Sequence, residues 1–176
     1  LWPYSAARGK MSGEAFMSWS IGIGRVAGSE IRIHLTFLIF LLWIGLAEYM
    51  AGGSAAAWDS VLFVVAVFAC VLLHELGHAI VARRYGIATP DITLLPIGGV
   101  ARLERLPEKP GEEIAIAIAG PLVNVVIAGV LVLVFGAPLA PRAFSAIANP
   151  NPGFLARLAT VNVYLVLFNL IPAFPM

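Results

Sequence analysis

Three residues whose side chains can bind a metal or transfer a proton stand together in this sequence: His74, Glu75 and His78, in the pattern H-E-x-x-H. On an α-helix, residues four positions apart lie on one face, so the two imidazoles can bind a single zinc ion. The glutamate between them can then act as general base on a water activated by zinc. The pattern therefore indicates a zinc site suited to hydrolysis.

The motif directly follows the apolar run Val61 to Leu73. Of the 176 residues, 60% are hydrophobic and 12% are charged, and the mean hydropathy is +0.93. Soluble domains carry about 25% charged residues, so we expect an integral membrane protein. Ionisable residues inside a membrane are costly and usually functional. The net charge of +1, without a basic stripe, argues against nucleic acid as a partner.

Apolar segments predict an α-helical membrane protein with about four transmembrane helices, at 35–51, 58–84, 114–136 and 154–171. The loop Gly52-Gly53-Ser54 separates the first two, and Gly120-Pro121 is expected to interrupt the third. Basic residues cluster before the first span and between the second and third. The positive-inside rule therefore predicts a multi-pass protein of the cell membrane, with the N-terminus and segment 83–110 in the cytoplasm. The histidines then lie in the cytoplasmic half of the bilayer.

Two short β-hairpins are expected on the cytoplasmic side. In the first, apolar residues alternate from Ile21 to Leu35 around a turn at 27–29. The second pairs 92–95 with 100–103 around Pro96-Ile97-Gly98-Gly99. Residues 1–19 are predicted to be an unstructured arm, and 20–176 the membrane-embedded core.

The residues alone do not identify a complete metal site, because a catalytic zinc usually has three protein ligands and one water. His34 is the only other histidine, and we expect it at the membrane border. Asp91 is a weaker candidate, and Glu48 is predicted on the opposite side of the membrane. The third ligand stays open at this point.

Three motifs resemble the site-2 protease family of intramembrane zinc metalloproteases, and the resemblance covers about residues 20–176. They are His74-Glu-Leu-Gly-His78, Ala119-Gly-Pro-Leu-Val-Asn124 and Asn169-Leu-Ile-Pro-Ala-Phe-Pro-Met176. The resemblance implies a zinc endopeptidase that cleaves a membrane-spanning segment of a substrate protein. The short 89–106 segment is similar to the compact branch without a PDZ insertion, whose members carry CBS domains.

The resemblance also implies roles for individual residues. His74 and His78 would bind one Zn²⁺, with Glu75 as general base. The third ligand would be an aspartate just beyond Met176, so we expect a C-terminal truncation that leaves this fragment with a weakened or inactive site. Asn169 would stabilise the oxyanion or hold the substrate, and Asn124 would face the site; an interhelical hydrogen bond is the alternative for Asn124.

A membrane-spanning substrate must unwind before its peptide bonds can be reached. We expect the edge of the second hairpin to hold the unwound segment as an added strand, with Gly98 and Gly99 allowing close backbone approach. The predicted partners are thus a transmembrane substrate protein and the lipid bilayer; the oligomeric state is not predicted.

Two other classes of function stay open on the sequence. One is a haem-binding membrane redox protein, although haem ligands usually come from two helices and His74 and His78 share one helix face. The other is a non-proteolytic membrane scaffold or transporter in which the motif is structural. A Glu75→Gln variant separates these classes, because a protease would keep zinc and lose cleavage.

Overall fold

The computed structural model of the protein describes residues 19–137 and 153–170. It contains four strands and three helices within those residues. In chain order they are β1 (Ser20–Val26), β2 (Ser29–His34), α1 (Leu35–Arg84), β3 (Asp91–Leu95), β4 (Gly98–Ala101), α2 (Pro110–Leu133) and α3 (Phe154–Leu170). The predicted unstructured arm lies almost wholly outside the described residues.

Helix α1 is a helical hairpin of two antiparallel arms. Its backbone leaves the helical conformation at Gly53, where φ is 76°, a value that a residue without Cβ adopts readily. The arms pack side by side: the rings of Phe37 and Phe68 lie 4.4 Å apart, and a Cβ on Gly45 would meet Val61 at 3.2 Å. The chain therefore reverses where the sequence predicted the loop between the first two spans.

The four strands form one sheet in the order β1-β2-β3-β4. Both predicted hairpins are antiparallel pairs, but β2 and β3 also pair in parallel, with Ile31 opposite Ile92. The α1 hairpin is the connection that makes this parallel pair possible. The sequence predicted the two hairpins without the pairing between them. The second turn was predicted to be two residues longer than it is, since Gly98 and Gly99 belong to β4.

The sheet packs on the last turns of α1. Ile92 is fully buried in a cluster with Leu76 and Ala79. At the far edge, the Arg83 guanidinium donates a hydrogen bond of 2.7 Å to the carbonyl of Ala27 in the first hairpin turn. These contacts fix the sheet relative to the helix arm that carries the motif.

Helix α2 begins four residues before the predicted span and runs without a break through Gly120 and Pro121. The expected interruption is therefore wrong: Pro121 removes one backbone donor, and the helix continues around it. Helix α3 packs against α1 and α2 in an apolar cluster that includes Phe63, Leu131 and Leu158.

Helices α1 and α2 are long and apolar enough to cross a membrane, and α3 is a shorter apolar helix. Only 17% of the most apolar 18-residue stretch of α1, and 39% of the corresponding stretch of α2, is buried inside the protein. The exposed residues include Leu42, Trp43 and Met50. A soluble core helix would bury such a surface, so this exposure fits contact with lipid. The count of four spans stays a prediction.

Candidate metal centre and active site

The two histidines of the motif converge on one point. Their Nε2 atoms lie 3.0 Å apart, because both side chains project from the same face of α1 one turn apart. The ring planes are nearly perpendicular, at 80°. Both Nε2 atoms therefore face the same small space beside the helix.

The orientation of His78 is fixed from behind by α2. Its Nδ1 lies 2.6 Å from the carbonyl oxygen of Ile116, and since a carbonyl only accepts, Nδ1 carries the proton. In the neutral ring Nε2 then keeps its lone pair, as a metal ligand requires. His74 is 5% exposed, and its Nδ1 has no hydrogen-bond partner among the residues that the structure describes.

Two glycines let α2 approach this close. A Cβ on Gly77 would lie 2.8 Å from Val123 and 2.9 Å from the carbonyl of Ala119. A Cβ on Gly120 would lie 2.7 Å from Nε2 of His74 and also collide with Nε2 of His78. Gly120 thus leaves open the space beside the two Nε2 atoms. A space of this kind, faced by two imidazole nitrogens, fits a zinc ion bound at about 2.0–2.1 Å.

A third protein ligand is not found within residues 19–137 and 153–170, where no group of three His, Cys, Asp or Glu side chains could hold a metal. His34 caps the start of α1, with Nδ1 accepting from the Thr36 amide. Asp91 lies 3.9 Å from Arg102. Neither joins the motif histidines. The position just beyond Met176, where the aspartate is expected, lies outside the described residues.

Glu75 lies under the edge strand of the sheet. A Cβ on Gly99 would lie 2.6 Å from Cγ and 3.2 Å from Oε1 of Glu75, so β4 crosses the glutamate in direct contact. The motif opens into a cavity of about 430 Å³. Its wall includes His74, Glu75, His78, Thr89, Ala101, Leu106, Pro107, Glu113, Ile116 and Asn169. The cavity therefore joins the motif to β4, to the segment before α2 and to the end of α3.

The structure separates the two predicted asparagines. Asn169 lines the cavity with the motif residues, and its Nδ2 donates to the carbonyl of Leu165 at 2.7 Å. Asn124 is fully buried on α2 and does not line that cavity. Neither polar atom of its side chain has a partner among the described residues, so the interhelical hydrogen bond considered for it is not formed with them.

Sequence reasoning missed a buried ion pair away from the motif. Arg157 at the start of α3 lies 2.6 Å from Asp59 on α1, with 6% of its side chain exposed. Its guanidinium also lies 4.5 Å from the centre of the Phe63 ring. The available signal was one arginine and one aspartate inside otherwise apolar segments. The pair anchors α3, which carries Asn169, to the helix that carries the motif.

The fold and the site define a class: two convergent histidines and a glutamate on one apolar helix are the metal ligands and the general base of H-E-x-x-H metallopeptidases. Comparison with known proteins supports this class. Peptidase family M50 matches residues 62–149, half of the chain. The chain belongs to peptidase family M50, the site-2 protease family, which confirms the resemblance found in the sequence.

Curated relatives include a zinc metalloprotease of Methanocaldococcus jannaschii, 41% identical over 91% of this chain and 43% of that protein. A putative zinc metalloprotease of Synechocystis is 32% identical over 93% of this chain and 43% of that protein. The solved site-2 protease of M. jannaschii is 37% identical, with a TM-score of 0.65 over 90% of this chain and 67% of that structure. The chain thus spans about two fifths of these curated relatives' length.

Proposed function

We propose that the protein is an intramembrane zinc endopeptidase that cleaves a membrane-spanning segment of a substrate protein. The observation that carries this proposal is the contact between Glu75 and Gly99, beside two imidazoles whose Nε2 atoms lie 3.0 Å apart. It brings a base, a pair of metal donors and an edge strand to one cavity. Membership of peptidase family M50 supports the same chemistry.

His74 and His78 would hold one Zn²⁺ per chain, and the aspartate expected just beyond Met176 would be the third ligand. Zinc, when bound, makes water more acidic and polarises a peptide carbonyl. The hydrogen bond from His78 Nδ1 to Ile116 supports this role because it fixes the ring and its tautomer.

Glu75 then acts as the general base: it takes the proton of the attacking water and later passes it to the leaving nitrogen. Asn169, on the wall of the same cavity, would hold the substrate or stabilise the oxyanion. Asn124 would support the site from α2, one turn beyond Gly120.

The substrate would bind as an extended segment beside β4, with Gly98 and Gly99 allowing its backbone to come close. β4 itself lies against Glu75, so a peptide added at its edge would run beside the base, about 4.8 Å from β4. Backbone hydrogen bonds to the edge would replace those that a membrane helix loses when it unwinds.

The proposed placement in the membrane has four spans, with the N-terminus and segment 83–110 in the cytoplasm. The cavity includes Leu106, Pro107 and Glu113 from the end of that segment. Water would therefore reach the site from the cytoplasmic side, through the cavity between β4 and α2.

The geometry weighs against the haem alternative. Nitrogens only 3.0 Å apart on one helix face leave no room for a porphyrin between them.

The scaffold or transporter alternative is tested with Glu75→Gln in the full-length protein, against a single-span reporter that the wild type cleaves. The variant should keep its zinc and its thermal melting point and lose cleavage. Cleavage at the wild-type rate would overturn the role of Glu75.

A further inference from the structure

The hydrogen bonds of the sheet define which backbone groups of β4 point outwards. The Arg102 amide donates to the carbonyl of Asp91 at 3.2 Å, so these two residues form a hydrogen-bonded pair. In an antiparallel ladder such pairs alternate with pairs that do not exchange hydrogen bonds. Given the register Thr93–Val100 and Leu94–Gly99, Val100 bonds inwards to β3 and Gly99 does not.

The other side of β3 gives the same answer. The Glu30 amide donates to the carbonyl of Pro90 at 2.9 Å, and Ile92 lies opposite Ile31 in the parallel pair. Every second residue from Pro90, just before β3, through Leu94 therefore turns its backbone groups towards β2. The intervening residues, among them Thr93, face β4. Both hydrogen bonds thus lead to one register for the sheet.

It follows that Gly99 and Ala101 direct their N–H and C=O groups to the outer edge of β4, where no further strand pairs among the described residues. Both residues also belong to the face that packs on α1: Gly99 contacts Glu75, and Ala101 lines the cavity. Val100, between them, lies on the opposite face and is 51% exposed. The two outward-facing residues are also the two beside the catalytic cavity.

We propose that the backbone groups of Gly99 and Ala101 are the binding site for the extended substrate, which sets the register of cleavage; this rests on the proposed function. Residues directly opposite in paired strands point to the same face. The substrate residues opposite Gly99 and Ala101 thus turn their side chains into the cavity. The substrate residue between them points away, beside Val100.

This register also predicts specificity. A glycine and an alanine at the edge leave the neighbouring space to the substrate's own side chains. The cavity wall near them is largely apolar, with Ala79, Leu103 and Ile116. Apolar side chains are therefore favoured at two substrate positions separated by one, and the position between them tolerates polar and charged residues.

The test is disulfide cross-linking in the full-length protein, with Glu75→Gln present so that bound substrate is not cleaved. Val100→Cys is paired with a series of single cysteines along the reporter span. One substrate position should cross-link best, and its two immediate neighbours should lose cross-linking because their side chains lie on the other face. Equal cross-linking at consecutive positions would overturn the register. Ile97→Cys is the control: Ile97 lies in the turn outside the paired strands and is 92% exposed, so its cross-linking should not alternate along the reporter.

A second variant tests the outward amides directly. Ala101→Pro removes a donor that faces the free edge, a position where an edge strand tolerates proline. It should lose both cleavage and cross-linking while zinc content stays at the wild-type level. Unchanged cleavage would overturn the proposed register.

If cross-linking alternates but the wild type cleaves no reporter, the proposed function fails and the register stands. Cleavage by the wild type without alternation overturns the register and leaves the proposed function standing.

Discussion

Replacing Gly120 by alanine tests whether the space between the histidines is a metal site. A Cβ at this position would lie 2.7 Å from Nε2 of His74 and 2.6 Å from Cε1 of His78. Unstrained contacts between such atoms are about 3.5 Å, so the rings must retreat by at least about 0.8–0.9 Å, since Nε2 of His78 lies closer still. Zinc sites tolerate deviations of about 0.2 Å in ligand distance. Gly120→Ala should therefore weaken zinc binding by about 100-fold or more, at the upper end of the loss seen when the groups that orient metal ligands are removed.

The same change should not unfold the helix, because alanine is favoured over glycine in a helix interior by about 1 kcal/mol. Gly129→Ala on the same helix is the matched control, since a Cβ there meets nothing within 4 Å. Zinc bound per full-length protein is measured by mass spectrometry after dialysis against graded chelator, with helicity followed by circular dichroism. Zinc retention by Gly120→Ala equal to that of Gly129→Ala would refute the assignment of this space to the metal.

Two further variants probe the surroundings of the site. Gly99→Ala would place a Cβ 2.6 Å from Cγ of Glu75 and should reduce reporter cleavage at least tenfold with zinc content unchanged, about 1.4 kcal/mol of lost transition-state stabilisation. Gly111→Ala, whose Cβ meets nothing within 4 Å, is the control and should leave cleavage intact. Equal cleavage rates for the two variants would contradict the contact between Gly99 and Glu75. Asp59→Asn leaves the buried Arg157 without its charge partner and should lower the free energy of unfolding by about 2 kcal/mol. This is less than the about 3–5 kcal/mol of fully buried pairs because Asp59 is 42% exposed. Urea titration in detergent measures the loss, and an unchanged unfolding midpoint would show that the pair contributes nothing.

The sequence predicts the parts of this fold that local patterns encode. Gly52-Gly53-Ser54 marked the reversal between two apolar segments, and Gly53 adopts the positive φ that the reversal needs. Alternating apolar residues indicated the first hairpin, and two short strand-like segments on either side of Pro96-Ile97-Gly98-Gly99 indicated the second. The parallel pairing of β2 with β3 was not predictable in this way, because it joins segments separated by the whole of α1. Pro121 misled the prediction since a helix packed on both sides can keep its course without one backbone bond.

The same distinction holds at the site. The spacing of His74 and His78 was enough to predict that they share a face, because a single helix fixes it. The role of Gly120 was not predictable from the sequence, since its contact with the imidazoles depends on how α2 crosses α1. The meeting of Glu75 with Gly99 likewise depends on the tilt of the sheet. Contacts of this kind depend on packing between distant segments, which no periodicity records.

The most direct test of the proposed activity is the position and metal dependence of cleavage. The full-length protein is reconstituted in liposomes with a single-span reporter, and the products are sequenced by mass spectrometry before zinc removal, after it, and after zinc is restored. We predict cleavage within the membrane-spanning segment, lost with the metal and recovered with it. Cleavage outside that segment, or cleavage that persists without zinc, would contradict an intramembrane zinc endopeptidase built on His74, Glu75 and His78.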